Sequence, residues 1–139
     1  MTNKNIFVAC DTSSLKEIKK IINDTKTTKL QIIPKFGLQF FYSKNGRAFL
    51  QNFKKDYFLD LKINDIPQTA LSAMDSLKDL KKCRYITVHA NGGLIMLKAI
   101  TKKAKTINKN LKVLGVTILT SLNNKSLKEI GHTKTVEQL

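Results

Sequence analysis

The residues whose types and spacing could do chemistry lie together at Asp60-Leu61-Lys62-Ile63-Asn64-Asp65-Ile66-Pro67, directly after the apolar run Tyr57-Phe58-Leu59. On a strand, alternate side chains share a face, so Asp60 and Lys62 point the same way, roughly 6.5–7 Å apart along the chain. An acid and a base packed that closely against an apolar strand neutralise or pair unless a site uses them. The chemistry within their reach is acid–base, because a neighbouring carboxylate keeps an ammonium charged. Asp65 follows on the loop, and Pro67 can open a helix, where its missing N–H leaves no bond unmade. Taken alone, the segment also fits a surface salt bridge at a strand end.

Other chemistries are poorly supplied. The two histidines, His89 and His132, have no partner at ligand spacing, so no metal is expected. Cys10 and Cys83 sit in apolar, strand-like segments without a CxxC spacing and read as reduced core residues. The opening Met-Thr-Asn-Lys-Asn leads straight into a strand-like run and lacks the pattern of a signal peptide. No apolar run is long enough to span a membrane. These features predict a cytoplasmic protein without membrane contact. Net charge is +15, which raises nucleic acid as a partner. Against it, Arg47 and Arg84 are the only arginines, although Arg carries most base and phosphate-fork recognition. The lysines are dispersed along helix-like segments, so a basic RNA-binding module ranks second and no nucleic acid is expected. A positive field also attracts small anionic substrates.

The elements that must position the acid–base pair repeat as β-then-α units. Strand-like runs occur at Ile6–Cys10, Leu30–Ile33, Tyr57–Leu61, Tyr85–Val88 and Leu111–Leu119, starting 24–28 residues apart, close to one βαβ period. A capping box, Ser14 with Glu17, opens the first helical segment, followed by Ile18, Ile21 and Ile22. From Pro67, a helical pattern places Ala70, Leu71, Met74 and Leu77 on one face, and another after Gly92-Gly93 carries Leu94, Leu97, Ala99 and Ile100. Lys102–Lys112 reads as a solvated helix face and turn, Gly131 to Lys134 as a helix stop, and Thr135–Leu139 as a further helical start.

Continuous apolar strands indicate a parallel sheet covered on both faces. Each strand delivers a polar side chain at its C-terminal end: Asp11, Lys35, Asp60 with Lys62, His89, and Thr120 with Ser121. Such ends converge on one site in a (β/α)8 barrel. A doubly wound sheet would use a glycine-rich first turn, whereas Asp11-Thr-Ser-Ser14 has no glycine. The predicted fold is therefore α/β, a TIM (β/α)8 barrel represented by about five of its eight βα units. Residues 1–139 are expected to form a single domain, the N-terminal portion of a longer protein, because five units do not close a barrel.

With these residues in hand, the chain closely resembles the bacterial-type orotidine 5′-phosphate decarboxylases. The matching pieces are Val8-Ala-Cys-Asp11, Pro34-Lys35-Phe-Gly37, Asp60-Leu-Lys62-Ile-Asn-Asp65-Ile-Pro67-Gln-Thr69, Val88-His89-Ala-Asn-Gly92-Gly93 and Val116-Thr-Ile-Leu-Thr120-Ser121. DxKxxD is shared with related enzymes acting on sugar phosphates, such as 3-keto-gulonate 6-phosphate decarboxylase; Ile-Pro-x-Thr and Leu-Thr-Ser point to the orotidylate branch. Asn64 and Gln68 stand where the family often has His and Asn. The resemblance implies decarboxylation of orotidine 5′-phosphate to UMP in pyrimidine biosynthesis, without metal or cofactor. By position, Lys35, Asp60, Lys62 and Asp65 would form a Lys-Asp-Lys-Asp array in a homodimer, with Asp65 reaching the neighbouring subunit's site. Lys62 would donate the proton to C6, Asp60 would lie beside the departing carboxylate, and Lys35 would hold the array and contact the ribose. Asp11 would bind a ribose hydroxyl, Thr69 would act across the dimer interface, and Thr120 would contact the pyrimidine. The segment Asp60 to Thr69, with Leu61, Ile63, Asn64, Ile66, Pro67 and Gln68, would line the substrate. The family's phosphate-gripping glutamine and arginine have no counterpart here, since neither Arg47 nor Arg84 matches, so these 139 residues alone are expected to be inactive.

Three residues carry competing readings. Gly92-Gly93 before a helix could cradle phosphate or serve close loop packing. His89 reads as a hydrogen-bonded residue at the barrel mouth in preference to a general base.

Overall fold

A computed structural model describes residues 5–139; the Met-Thr-Asn-Lys start, read above for a leader, lies outside the described residues. The chain alternates strand and helix throughout. The elements run β1 (Asn5–Ala9), α1 (Leu15–Asp24), β2 (Gln31–Gly37), α2 (Leu38–Phe41), α3 (Gly46–Asn52), β3 (Tyr57–Ile63), α4 (Pro67–Asp75), β4 (Cys83–His89), α5 (Gly93–Ile107), β5 (Lys112–Val116) and α6 (Asn124–Glu129), with 3₁₀ turns at Ala90–Gly92 and Val136–Gln138. The five strands form one parallel sheet in the order β1-β2-β3-β4-β5. Sequential order with right-handed crossovers puts the helices on one face.

The main core lies between that face and the helices. Ile18 of α1, Phe40 of α2, Leu50 of α3, Met74 of α4 and Met96 and Ile100 of α5 meet Phe36, Leu59, Ile86 and Val88 of the strands. The opposite face carries a smaller cluster of strand residues alone, Ile33, Phe58 and Tyr85 with Leu114 packed on it. Phe7 sets its ring edge against Phe58 and Tyr85. Among the described residues, the outer edges of β1 and β5 pair with no strand.

Several boundaries differ from the sequence reading. β2 continues past Ile33 to Gly37 although Pro34 lacks an N–H, and Pro34 is buried opposite Val8. β3 runs on to Ile63 and β4 starts at Cys83, whereas β5 stops at Val116 instead of Leu119. The α5 core face is Met96, Ile100 and Ala104, at intervals of four residues, and Leu94 is exposed. Within Lys102–Lys112, Ala104 is core and Lys103 pairs with Asp75 of α4 at 2.8 Å, so this stretch is only partly a solvated face.

The Ser14 capping box is half built. Ser14 Oγ accepts the Glu17 N–H, but the Glu17 carboxylate takes the Thr12 hydroxyl at 2.6 Å, and the Ser14 N–H goes to Thr12 Oγ1. The stop at Gly131 holds: Gly131, at φ +88°, donates to Lys128 O and His132 to Leu127 O, a Schellman arrangement closing α6. The start at Thr135 builds a single 3₁₀ turn, Val136–Gln138, with a complete capping box.

Candidate active site

The site is assembled at the C-terminal ends of β2, β3 and β4. Along β2, Ile33 and Lys35 share a face; Ile33 joins the strand-only cluster, and Lys35 sits one pleat nearer the C-terminal end. On β3, Phe58 and Asp60 repeat the arrangement, as do Tyr85 and Thr87 on β4. Lys35 lies opposite Phe58, and Gly37 opposite Asp60. The sheet thus carries an apolar layer below and a charged layer above.

Asp60 is the hub of that upper layer. Its Oδ1 accepts hydrogen bonds from Lys62 Nζ at 2.8 Å and Thr87 Oγ1 at 2.9 Å, and its Oδ2 accepts one from Lys35 Nζ at 3.2 Å. The Asp60 side chain retains only 15% of its accessible surface. Burial on its own pushes the carboxyl up, but the hydrogen bonds from Lys62, Thr87 and Lys35, with the Lys62 charge, outweigh it and hold the group below the usual carboxylate range. Asp60 is therefore an anion at neutral pH, held between two ammonium groups.

The local backbone departs from a simple strand. Between the pairs Leu59↔Ile86 and Ile63↔Val88, three β3 residues, Asp60, Leu61 and Lys62, stand against the single Thr87 of β4. This bulge carries Lys62 at φ +50°, a left-handed conformation rare for a side-chain-bearing residue. Strain of this kind gathers at functional sites. The equal alternation expected for Asp60 and Lys62 is thus broken, yet the bulge brings their charged ends to hydrogen-bond distance.

The other predicted residues divide. Asp11, just beyond β1, lies against the end of β2, its Oδ1 3.4 Å from where a Cβ on Gly37 would stand. A cleft of about 330 Å³ between α2 and α4 is lined by Leu61, Lys62, Ile63, Asn64, Asp65 and Thr69, among others. Asp65 is exposed, and its carboxylate accepts the Ile66 N–H at 2.7 Å; it makes no ion pair among the described residues. Ile66 and Gln68 are exposed, and Pro67 opens α4 at its first position. Thr120 lies on an exposed turn after β5 and makes no hydrogen bond to the array.

Asn64 approaches the turn after β4, its Oδ1 3.1 Å from a Cβ placed on Gly92. The same Cβ would meet Met96 Cε at 2.1 Å, so Gly92 serves close packing. His89 ends β4 opposite Val116, and its ring makes no hydrogen bond among the described residues, contrary to the hydrogen-bonded role expected of it. Arg47 binds Asp79 at 2.8 Å and Arg84 binds Asp56 at 2.9 Å, so both are engaged away from the array. Cys10 and Cys83 are free and buried; burial, with the Asp11 charge, pushes the Cys10 thiol up to about 11, and burial pushes Cys83 up to about 12.

The sequence reading missed Thr87. Its position two residues after Tyr85 on a buried strand was visible, but the need for a hydroxyl there arises from the bulge. Among the described residues no three His, Cys, Asp or Glu side chains gather in a way that could hold a metal ion, and no helix is long and apolar enough to cross a membrane.

Five parallel strands with a lysine–aspartate–lysine layer at their C-terminal ends define a portion of a (β/α)8-barrel protein. The chain belongs to the Orotidine 5′-phosphate decarboxylase / HUMPS family, which it matches over residues 4–139. It is 36% identical over 137 residues to the orotidine 5′-phosphate decarboxylase of the Wolbachia of Brugia malayi, covering 95% of this chain and 57% of that protein. The Malacoplasma penetrans enzyme of the same name is 35% identical over 131 residues, covering 92% and 55%. The crystal structure of the Lactobacillus acidophilus orotidine 5′-phosphate decarboxylase superposes with a TM-score of 0.82 at 27% identity, over 97% of this chain and 63% of that one. That of the Methanocaldococcus jannaschii orotidine 5′-monophosphate decarboxylase, complexed with inhibitor BMP, gives 0.66 at 28% identity, over 81% and 51%. The chain spans just over half the length of the curated relatives it matches.

Proposed function

We propose that this chain supplies the charged array of a site that decarboxylates orotidine 5′-phosphate to UMP. The observation that carries the reading is the Asp60 carboxylate bridging Lys35 and Lys62 at the mouth of the sheet. Loss of carbon dioxide breaks the C6–carboxylate bond and leaves its electron pair on C6 in the ring plane. The Lys62 ammonium stabilises that charge as it develops and then transfers its proton to C6, regaining one from solvent. Asp60 keeps Lys62 charged and lies beside the departing carboxylate, whose repulsion is relieved as it leaves. Lys35 holds Asp60 from the other side and contacts the ribose, where Asp11 takes a hydroxyl. Thr120 contacts the pyrimidine from the turn after β5, and no step uses a metal or cofactor.

Asp65 completes the array in the partner subunit of a homodimer, and Thr69 acts at the same interface. Support for this comes from the exposure of Asp65 on the loop entering α4, outside the Asp60 network. A two-fold dimer makes such an exchange reciprocal.

The test is to assay the chain with orotidine 5′-phosphate after chelator treatment, alone and assembled with a polypeptide carrying the remaining three βα units of a relative. UMP is expected from the assembled barrel and not from the 139 residues alone. Absence of UMP from a barrel shown to have assembled, or strict metal dependence, sinks the reading; parallel assay with a keto-sugar phosphate separates the nearest enzymatic alternative, a sugar-phosphate decarboxylase or aldolase of the same superfamily. RNA binding that survives excess UMP and depends on Arg47 or Arg84 would favour a nucleic-acid module. Mixing Lys62→Ala and Asp65→Ala subunits tests the exchange. If Asp65 acts in trans, heterodimers hold one intact site, and activity returns to about a quarter of the wild-type level from two inactive parents. Continued inactivity in proven heterodimers overturns the shared site.

A further inference from the structure

Thr87 is the one buried polar residue identified among the described residues, 5% exposed on the interior strand β4. Its hydroxyl is committed twice. Oγ1 donates its proton to Asp60 Oδ1 at 2.9 Å and accepts the backbone N–H of Lys62 at 2.9 Å. The second bond replaces a missing rung of the ladder: the bulge that sets three β3 residues against Thr87 takes the Lys62 N–H away from a strand carbonyl. A buried N–H needs a partner, and a side-chain oxygen is what β4 offers. The oxygen that Thr87 binds is also the one bound by Lys62 Nζ. Backbone and ammonium of the same lysine are thus tied to one carboxylate through one hydroxyl.

From this closed ring we infer that Thr87 is a positioning residue of the reaction, holding Lys62 in its left-handed conformation and aiming its ammonium through Asp60. The inference rests on the decarboxylase reading for its kinetic consequence, but its geometric content does not. A left-handed lysine relaxes toward an ordinary strand unless its surroundings fix it. Valine has threonine's shape without either hydrogen bond, whereas serine keeps both bonds and loses only the methyl. A displacement of about 1 Å at a reacting group can reduce turnover on the order of 10²-fold.

Two measurements on Thr87→Val and Thr87→Ser test the assignment. The first is the titration of the Asp60 carboxyl in the full chain, followed by carbon NMR of labelled aspartate and identified by its loss in Asp60→Asn. The charged groups facing that carboxyl are Lys35 from β2 and Lys62 from β3, with Asp11 beyond Gly37 and the titratable His89 further along β4. All are retained in these variants, so an upward move of the midpoint in Thr87→Val, reversed in Thr87→Ser, reports the lost hydroxyl. The second is kinetics in the assembled barrel: kcat falls about 10²-fold in Thr87→Val, KM changes less than about threefold, and Thr87→Ser recovers most of the rate. An Asp60 midpoint that stays put in folded Thr87→Val, or an undiminished kcat, overturns the assignment. If the wild-type barrel makes no UMP, the functional reading fails and the NMR titration decides the role of Thr87 by itself. Should Thr87→Val not fold, Thr87→Cys, a weaker hydrogen bonder of serine's shape, replaces it with the same expected directions.

Discussion

The two faces of the sheet are built on opposite principles. The helix-covered face buries Phe36, Leu59, Ile86 and Val88 beneath α1 to α5, with side chains from nearly every helix converging. The other face buries only Ile33, Phe58 and Tyr85, with Leu114 against them, and above that layer places two ammonium groups around one carboxylate. Stability is thus concentrated on one side and chemistry on the other. Each strand serves both by alternation, as Leu59 and Asp60 do on β3. Alternation gives way within the site at the bulge of Lys62, where strain is tolerated because the neighbouring residues Leu59 and Thr87 are firmly buried.

The sharpest way to break this division is to remove charge from the open face. Lys62→Ala should lower turnover of the assembled barrel by more than about 10⁴-fold, since both charge stabilisation and the proton donor are lost. Its thermal midpoint should stay within a few degrees of wild type; a several-fold rate loss would show that the proton donor is elsewhere. On the covered face, Phe36→Ala should destabilise by about 3–5 kcal/mol, because Phe36 is fully buried against Phe40, Phe49, Phe53 and Tyr57. Denaturant melts measure that loss, and a value under about 1 kcal/mol would mean that the aromatic cluster is not the anchor of the fold.

A smaller effect sharpens the contrast through pH. Asp60 is held below its ordinary range, so its contribution to stability is present above the unfolded-state value of about 3.9 and disappears as pH falls through the lower folded-state value. Wild type should therefore lose stability on acidification below about pH 4 more steeply than Asp60→Asn. Asp75 and Asp79 are also held low, so the variant should flatten the curve without levelling it. Identical slopes would show that the ion pairs of the open face add nothing to folding.

Much of this was legible in the sequence because parallel strands announce themselves. Apolar runs such as Tyr57–Leu59 and Tyr85–Val88 can be buried on both sides only in a covered sheet, and their C-terminal residues named Lys35, Asp60 and Lys62 in advance. Pro34 concealed the second half of β2, because an edge or a break is its usual meaning. Leu94 misled because hydrophobicity alone does not fix the rotation of a helix; the side chains α5 buries are Met96, Ile100 and Ala104. The bulge had no sequence signal, since neither Leu61 nor Lys62 is a residue that favours positive φ. With the bulge hidden, the hydroxyl it requires at Thr87 was hidden too.

The outer edges of β1 and β5, unmatched among the described residues, also bear on how molecules of this chain behave toward one another. Each edge is a row of free donors and acceptors able to take up a strand from a second molecule, and β1 adds exposed Ile6 and Phe7 to the attraction. What opposes such contact is the net charge of +15. That repulsion reaches about 10 Å at 0.1 M salt and only about 3 Å at 1 M. Solubility of the isolated chain is therefore a balance between a short-ranged edge attraction and a salt-screened repulsion, and it shifts toward association as ionic strength rises.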